Sequence, residues 1–166
     1  TVAAAAKAII DPIDKAYGEK FAVSEVALNG AKAPNGNRDS ETNLGDLCAD
    51  AYRILLGADI AFVNGGGVRD NIKVGDITYG DIIKVHPFGN EACLVEVTGQ
   101  QIKDALELGS AAYPGESGGF LQVSGLKYTI DTTVKSSAKG DDKSMFVSVD
   151  GAYRVKNVKV LKNGKY

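Results

Sequence analysis

The chain has 166 residues, 44% hydrophobic and 24% charged, with a formal net charge of −2. That length supports one domain with a sizeable core. The near-neutral balance, with Lys and Arg spread rather than clustered, gives no electrostatic reason to expect nucleic acid, and no apolar run reaches the roughly 18–20 residues of a membrane span.

The opening TVAAAAKAII is apolar but lacks a basic leading region, so it reads as a helix cut from something longer rather than as a signal peptide. The helix is expected over residues 2–17, with Pro12 kinking or ending it. Residues 20–28, KFAVSEVAL, alternate as a strand, and residues 29–40 have loop composition. In ETNLGDLCADAYRILLG, Leu44, Leu47, Ala51 and Leu55 recur at helical spacing; Ser40 or Thr42 can cap the start and Gly57 can close the end. A short apolar strand over 58–63 runs into the glycines of NGGGVRD. Residues 75–84 suggest a turn with a short helix or a bend, HPFGN is a turn, and residues 91–98, EACLVEVT, read as a strand.

Residues 99–109 predict a helix with Ile102, Ala105 and Leu106 inward. PGESGG is a second glycine loop, FLQVSG and LKYTIDTT are strands joined near Gly125, KSSAKGDDK is a mobile loop, and residues 145–149 and 152–162 are further strands. Asn163-Gly164 is a hairpin signal with only two residues after it, which, with the abrupt opening helix, suggests an excised fragment. Helices and strands mix without strict alternation, so the expected fold is α+β, a single domain with a mixed or antiparallel sheet.

Chemistry-bearing residues are few. Cys48, Cys93 and the single histidine, His86, form no zinc-like cluster. The two cysteines read as free, buried thiols, with a disulfide as the alternative if the chain is secreted. In NGGGVRD, glycines permit close backbone approach to a ligand, successive N–H groups can form an anion nest, and Arg69 offers a planar fork for phosphate or carboxylate. The competing reading is a tight turn with Arg69 paired to Asp70 or another carboxylate. Arg38, just ahead of the helix near Asn43, suits an anion held at that helix end or is a solvated surface arginine. Phe88 can stack on a planar ligand if exposed, or tuck into the core. His86 is a general acid or base, or faces solvent or caps a strand. Asp50 and Arg53, three apart, can pair on a helix surface. No Ser/His/Asp or Cys/His arrangement emerges from spacing.

Taken in order, RDSETNLGDLCADAYR, NGGGVRDNIKVGDITYGDIIKVHPFGN, LVEVTGQQIKDALELG, GGFLQVSGLKYTID and YRVKNVKV resemble the C-terminal domain of the 5′-nucleotidase family, which includes UDP-sugar hydrolases and 2′,3′-cyclic-nucleotide 2′-phosphodiesterases. The resemblance covers roughly residues 20–162. It implies a linker helix over 1–19 from an N-terminal metallophosphatase domain, and a nucleotide-binding C-terminal domain over 20–166, truncated at its end. Two divalent metal ions would sit in the N-terminal domain, with no cofactor in this chain. The implied partners are that domain and an AMP-like or cyclic nucleotide. The implied location is extracellular, periplasmic or cell-wall associated.

Carried over by position, the resemblance implies that Arg38 and Arg69 contact substrate phosphate, Asn64 and Gly66 form the loop beside the nucleoside, Phe88 stacks on the base and Asn90 helps position it. His86 has no role that the family assigns. In GGFLQVSGL, Phe120, Leu121 and Val123 are expected to fill the core, with Gln122 and Ser124 satisfying backbone groups. The rival expectations are a stand-alone nucleotide-binding module and a structural or interaction domain without catalysis.

Overall fold

A computed structural model describes residues 2–31, 35–143 and 145–166. Residues 32–34 of the expected loop lie outside the described residues. Helix α1 (Val2–Tyr17) forms as expected, and Pro12 lies inside it without ending it. Strand β1 (Lys20–Ser24) stops short of the expected residue 28: among the described residues just beyond it, Leu28 alone bridges, to Ile72.

Helix α2 (Asn43–Leu56) starts where Thr42 caps it: the Thr42 Oγ1 accepts the Gly45 N–H at 3.0 Å. It ends at Gly57, whose φ of +63° is the left-handed conformation that closes helices. The buried stripe is Leu44, Gly45, Cys48 and Ala49, rotated from the expected one; Leu55 is 81% exposed. Small residues explain the rotation. The Gln122 side chain fills the space a Cβ on Gly45 would need, so the helix approaches the neighbouring strand through its glycine side.

Among the described residues the strands form four antiparallel pairs. Strand β1 pairs with β3 (Gly75–Thr78), and β2 (Ala61–Asn64) with β4 (Leu121–Ser124). Strand β5 (Leu126–Ile130) pairs with β8 (Val155–Val160), and β6 (Ala138–Gly140) with β7 (Phe146–Val149). The expected loop KSSAKGDDK is therefore partly strand: its middle pairs with β7. Helix α3 (Tyr79–Val85) follows β3 through a capping box of Thr78 and Asp81, and α4 (Gly99–Gly109) begins with another, of Thr98 and Gln101. The class is α+β with antiparallel pairing, as expected.

Two apolar clusters hold the elements together. One joins Leu44, Cys48 and Ala49 of α2 to Val63, Val68, Ile72, Ile77 and Val85; the other centres on Leu106, Leu126 and Val155. Phe120 is buried, and Leu121 and Val123 pack against the second cluster. Gln122 does as expected: its Nε2 donates to the carbonyls of Asn37 and Ser40, at 3.1 and 2.7 Å. Ser124 instead bonds side chains, accepting from Arg53 Nε at 2.6 Å and donating to Asp50.

Residues 91–98 are not a strand. They have no regular structure and all are exposed, Leu94 at 66% and Val95 at 70%. An alternating pattern becomes a strand only when another strand supplies hydrogen-bond partners, and among the described residues none runs beside this segment. Cys93 lies in it as an exposed free thiol, and Cys48 is a buried one.

Candidate functional site

The apolar strand β2 carries the chain to Asn64, where the three glycines take one turn of 3-10 helix, Gly65–Gly67. The N–H groups of the first two are directed at the second glycine loop. Gly65 N–H donates to the Phe120 carbonyl at 2.7 Å, and Gly66 N–H to the Gly118 carbonyl at 2.9 Å. Asn64 Nδ2 donates to that same Gly118 carbonyl at 3.2 Å. A Cβ on Gly66 would stand 2.9 Å from Gly118 Cα, so two backbones pass here closer than side chains allow. PGESGG is thus half of the site, a residue set that sequence reading treated only as a loop; its paired glycines were the available signal.

Arg69 is fixed at both ends. Its N–H donates to the Val85 carbonyl at 2.9 Å, and its Nη1 to the Gly66 carbonyl at 3.2 Å. Its guanidinium carbon lies 5.8 Å from the centre of the Phe88 ring, within cation–π range. The alternative pairing with Asp70 does not form: Asp70 Oδ1 accepts the Asn71 N–H at 2.8 Å instead. Among the described residues Arg69 has no carboxylate partner. Its fork is therefore available to an anion.

Phe88 is 60% exposed, which answers the choice between surface and core in favour of the surface. Arg38 joins through its backbone: its carbonyl accepts the Ser117 N–H at 2.9 Å, next to Gly118. Its guanidinium also has no carboxylate partner among the described residues. Asn90 is exposed, two residues past Phe88, and among the described residues no hydrogen bond ties its side chain to the others. The structure thus links Gly66 and Phe88 through Arg69, joins Asn64 to them through the Gly118 carbonyl it shares with Gly66, tethers Arg38 through the Ser117–Gly118 backbone, and leaves Asn90 on the same turn as Phe88.

His86 neither faces open solvent nor caps a strand. It is half-buried, with Nε2 at 3.1 Å from Cys48 Sγ, and Tyr52 lies edge-on with ring centres 6.0 Å apart. Burial pushes the Cys48 thiol up to about 11 and the His86 imidazole below its ordinary value. Both are neutral at pH 7, so the pair is not a thiolate nucleophile with an imidazolium partner. On the opening turn of α2, burial and then Glu41 and Asp50 push Asp46 up to about 6. The expected surface pair of Asp50 and Arg53 forms at 3.8 Å.

Among the described residues no three His, Cys, Asp or Glu side chains converge as a metal ligand set. A cavity of about 450 Å³ opens beside the site rather than at it; it is lined by Glu41, Tyr113, Phe120 and Tyr128 among others. The candidate site itself is open surface, with the Phe88 ring, the Arg69 guanidinium beside it and a floor of glycine backbone, to which Arg38 is tied through its own backbone. No helix among the described residues is long and apolar enough to cross a membrane.

Residues 20–166 match the family model described as the 5′-nucleotidase, C-terminal domain. The trifunctional nucleotide phosphoesterase protein YfkN of Bacillus subtilis is 37% identical over 156 residues, covering 86% of this chain and 10% of that protein. A 5′-nucleotidase of Vibrio parahaemolyticus is 39% identical over 123 residues, covering 72% of this chain and 21% of that protein. Among solved structures, a 5′-nucleotidase precursor from Thermus thermophilus superposes with a TM-score of 0.71 at 33% identity, over 90% of this chain and 30% of that one. The chain therefore spans between 10% and 30% of the length of these three proteins.

Proposed function

Since this chain belongs to the 5′-nucleotidase C-terminal domain family, we propose that it is the nucleotide-binding part of a larger phosphoesterase that hydrolyses nucleotide phosphate esters. The observation that carries this reading is Arg69. It reaches from the glycine floor, at 3.2 Å from the Gly66 carbonyl, to the Phe88 ring at 5.8 Å, with no carboxylate partner among the described residues. A nucleotide needs this combination: a planar fork for phosphate and an aromatic face for the base.

In this reading Arg69 and Arg38 bind the phosphate, Phe88 stacks the base, Asn64 and the Gly66 backbone bound the ribose side, and Asn90 closes on the base edge. The chain orients its substrate and neutralises charge. Metal-assisted activation of water belongs to a metallophosphatase domain of the same protein, joined through α1; no residue of this chain is assigned to the two metal ions. The isolated chain is then inactive and binds nucleotide weakly, at around millimolar Kd, or about −4 kcal/mol. The same reading extends to an extracellular, periplasmic or cell-wall location, and to AMP-like or cyclic nucleotides as substrates.

Affinities of three ligands for two variants test it. Arg69→Ala should weaken AMP and inorganic phosphate alike, whereas Phe88→Ala should weaken AMP and adenosine but leave inorganic phosphate unchanged. Equal affinities in both variants and the parent chain would instead make this a structural domain. Metal-dependent phosphate release by the pure chain would contradict its assignment as a binding part alone.

A further inference from the structure

We propose that His86, seated on Cys48, is a positioning residue for the turn that carries Phe88, and so governs recognition of the base rather than of the phosphate; this rests on the reading of Phe88 as the stacking wall.

The anchoring of that turn is lopsided. Helix α3 ends at Val85, and His86 is its cap, donating its N–H to the Ile82 carbonyl at 2.9 Å. Val85 receives the Arg69 N–H at 2.9 Å. From Pro87 to Val97 every residue is exposed, Pro87 and Phe88 form a turn, no hydrogen bond or ion pair ties the segment to other elements among the described residues, and Gly89 has a φ of +62°. The Phe88 ring centre lies 5.8 Å from the Arg69 guanidinium carbon, and the residue is 60% exposed. The position of that ring is therefore set at its root, by the residue just before Pro87.

At that root, among the described residues, His86 has one polar side-chain partner, the Cys48 sulfur at 3.1 Å, and one ring neighbour, Tyr52. Cys48 is 8% exposed within the apolar cluster of α2, so it is a fixed point. With both groups neutral, the bond is S–H to nitrogen or N–H to sulfur, whichever tautomer the imidazole takes. This explains a histidine next to a ligand-binding turn without a catalytic task. The phosphate side is anchored separately, through Arg69 Nη1 on the Gly66 carbonyl. Loss of the His86–Cys48 contact should then loosen the aromatic wall and spare the guanidinium.

The test compares Cys48→Ala and His86→Ala, which remove the contact, with Cys48→Ser, which keeps a hydroxyl in hydrogen-bond reach of the imidazole. Backbone 15N relaxation of the free chain reads the turn directly. Order parameters at Phe88–Asn90 should fall from about 0.8 to about 0.6 or below in the first two variants and stay near the parent value in Cys48→Ser. Adenosine affinity should weaken about three- to tenfold in Cys48→Ala and His86→Ala, with inorganic phosphate affinity unchanged. Unchanged order parameters in both disrupting variants would overturn the proposal, as would equal weakening of adenosine and phosphate. Phe88→Ala, measured alongside, separates the two readings: if it leaves adenosine binding intact, the stacking reading fails, while the relaxation data still judge the anchoring. Half-buried His86 gives the same comparison if Cys48→Ala disturbs the core.

Discussion

The backbone carbonyl of Asn37 lies against Gly65, in the space where a side chain on that glycine would begin. The segment bearing Arg38 and the loop bearing Asn64 are thus in backbone contact, although one precedes α2 and the other follows β2. Gly65→Ala should destabilise the chain by about 2–3 kcal/mol, since the obstacle is a main-chain oxygen that cannot swing aside. A Cβ at Gly66 meets Gly118 Cα at 2.9 Å, a milder overlap, so Gly66→Ala should cost less. Urea unfolding of both variants checks the order, and a Gly65→Ala midpoint equal to that of the parent chain would refute the close approach.

Thr42 connects the helix to the same segment. Its hydroxyl caps α2 through the Gly45 N–H at 3.0 Å and also donates to Asn37 Oδ1. Thr42→Ala should cost about 1–2 kcal/mol. Thr42→Ser keeps both bonds and should cost less than half as much. Thermal melts of the two variants give the comparison.

Much of this architecture was legible because its signals are local. Thr42 and Gly57 bracket α2, and the turn Asn163-Gly164 forms with φ values of +51° and +73°. Three features were not legible, and each depends on distant partners. The buried stripe of α2 is set by Gln122 filling the space beside Gly45, a contact between residues 77 apart in sequence by their numbering. Residues 91–98 carry a strand pattern whose fulfilment depends on another strand. His86 turns inward onto Cys48 and Tyr52, both on α2 and distant from it in sequence. At the site, the glycines signalled close backbone approach, but Gly65 and Gly66 spend their N–H groups on the Phe120 and Gly118 carbonyls rather than forming an open nest, and the role of Gly118 as a shared acceptor is visible only once the loops meet.

Glu107 shows what a buried carboxylate does when it is structural. It is fully buried, and its two oxygens accept the N–H groups of Arg154 and Val155, at 3.1 and 2.9 Å, tying α4 to the start of β8. Glu107→Gln replaces one acceptor with a donor facing a donor and should cost about 1–3 kcal/mol. Glu107→Ala strands both N–H groups and should cost more. Chemical denaturation at constant pH decides; a variant within about 0.5 kcal/mol of the parent would show that the clamp contributes nothing.

Asp46 makes stability depend on pH with a definite sign. Its folded-state value of about 6 lies above the ordinary 3.8, because of burial first and then Glu41 and Asp50. The folded chain therefore binds this proton more tightly than the unfolded chain, and stability falls as pH rises from about 4 to about 6. Above that window the carboxylate is charged and penalised. Asp46→Asn should stabilise the chain at pH 7.5 by on the order of 1 kcal/mol after allowing for solvent screening, and the gain should vanish below about pH 4. Melting temperatures of both proteins across that range test the sign; a gain that grows as pH falls would contradict it.

The most direct test of the central claim is an NMR titration of the 15N-labelled chain with AMP, adenosine and inorganic phosphate. A nucleotide site built from Arg38, Asn64, Gly66, Arg69, Phe88 and Asn90 predicts saturable shifts confined to those residues. AMP should give the largest, adenosine should act on Phe88 and Asn90, and phosphate on Arg38 and Arg69. Absence of any saturable shift there at about 10 mM AMP, which means a binding free energy weaker than about −3 kcal/mol, or shifts centred on another face of the chain, would contradict it.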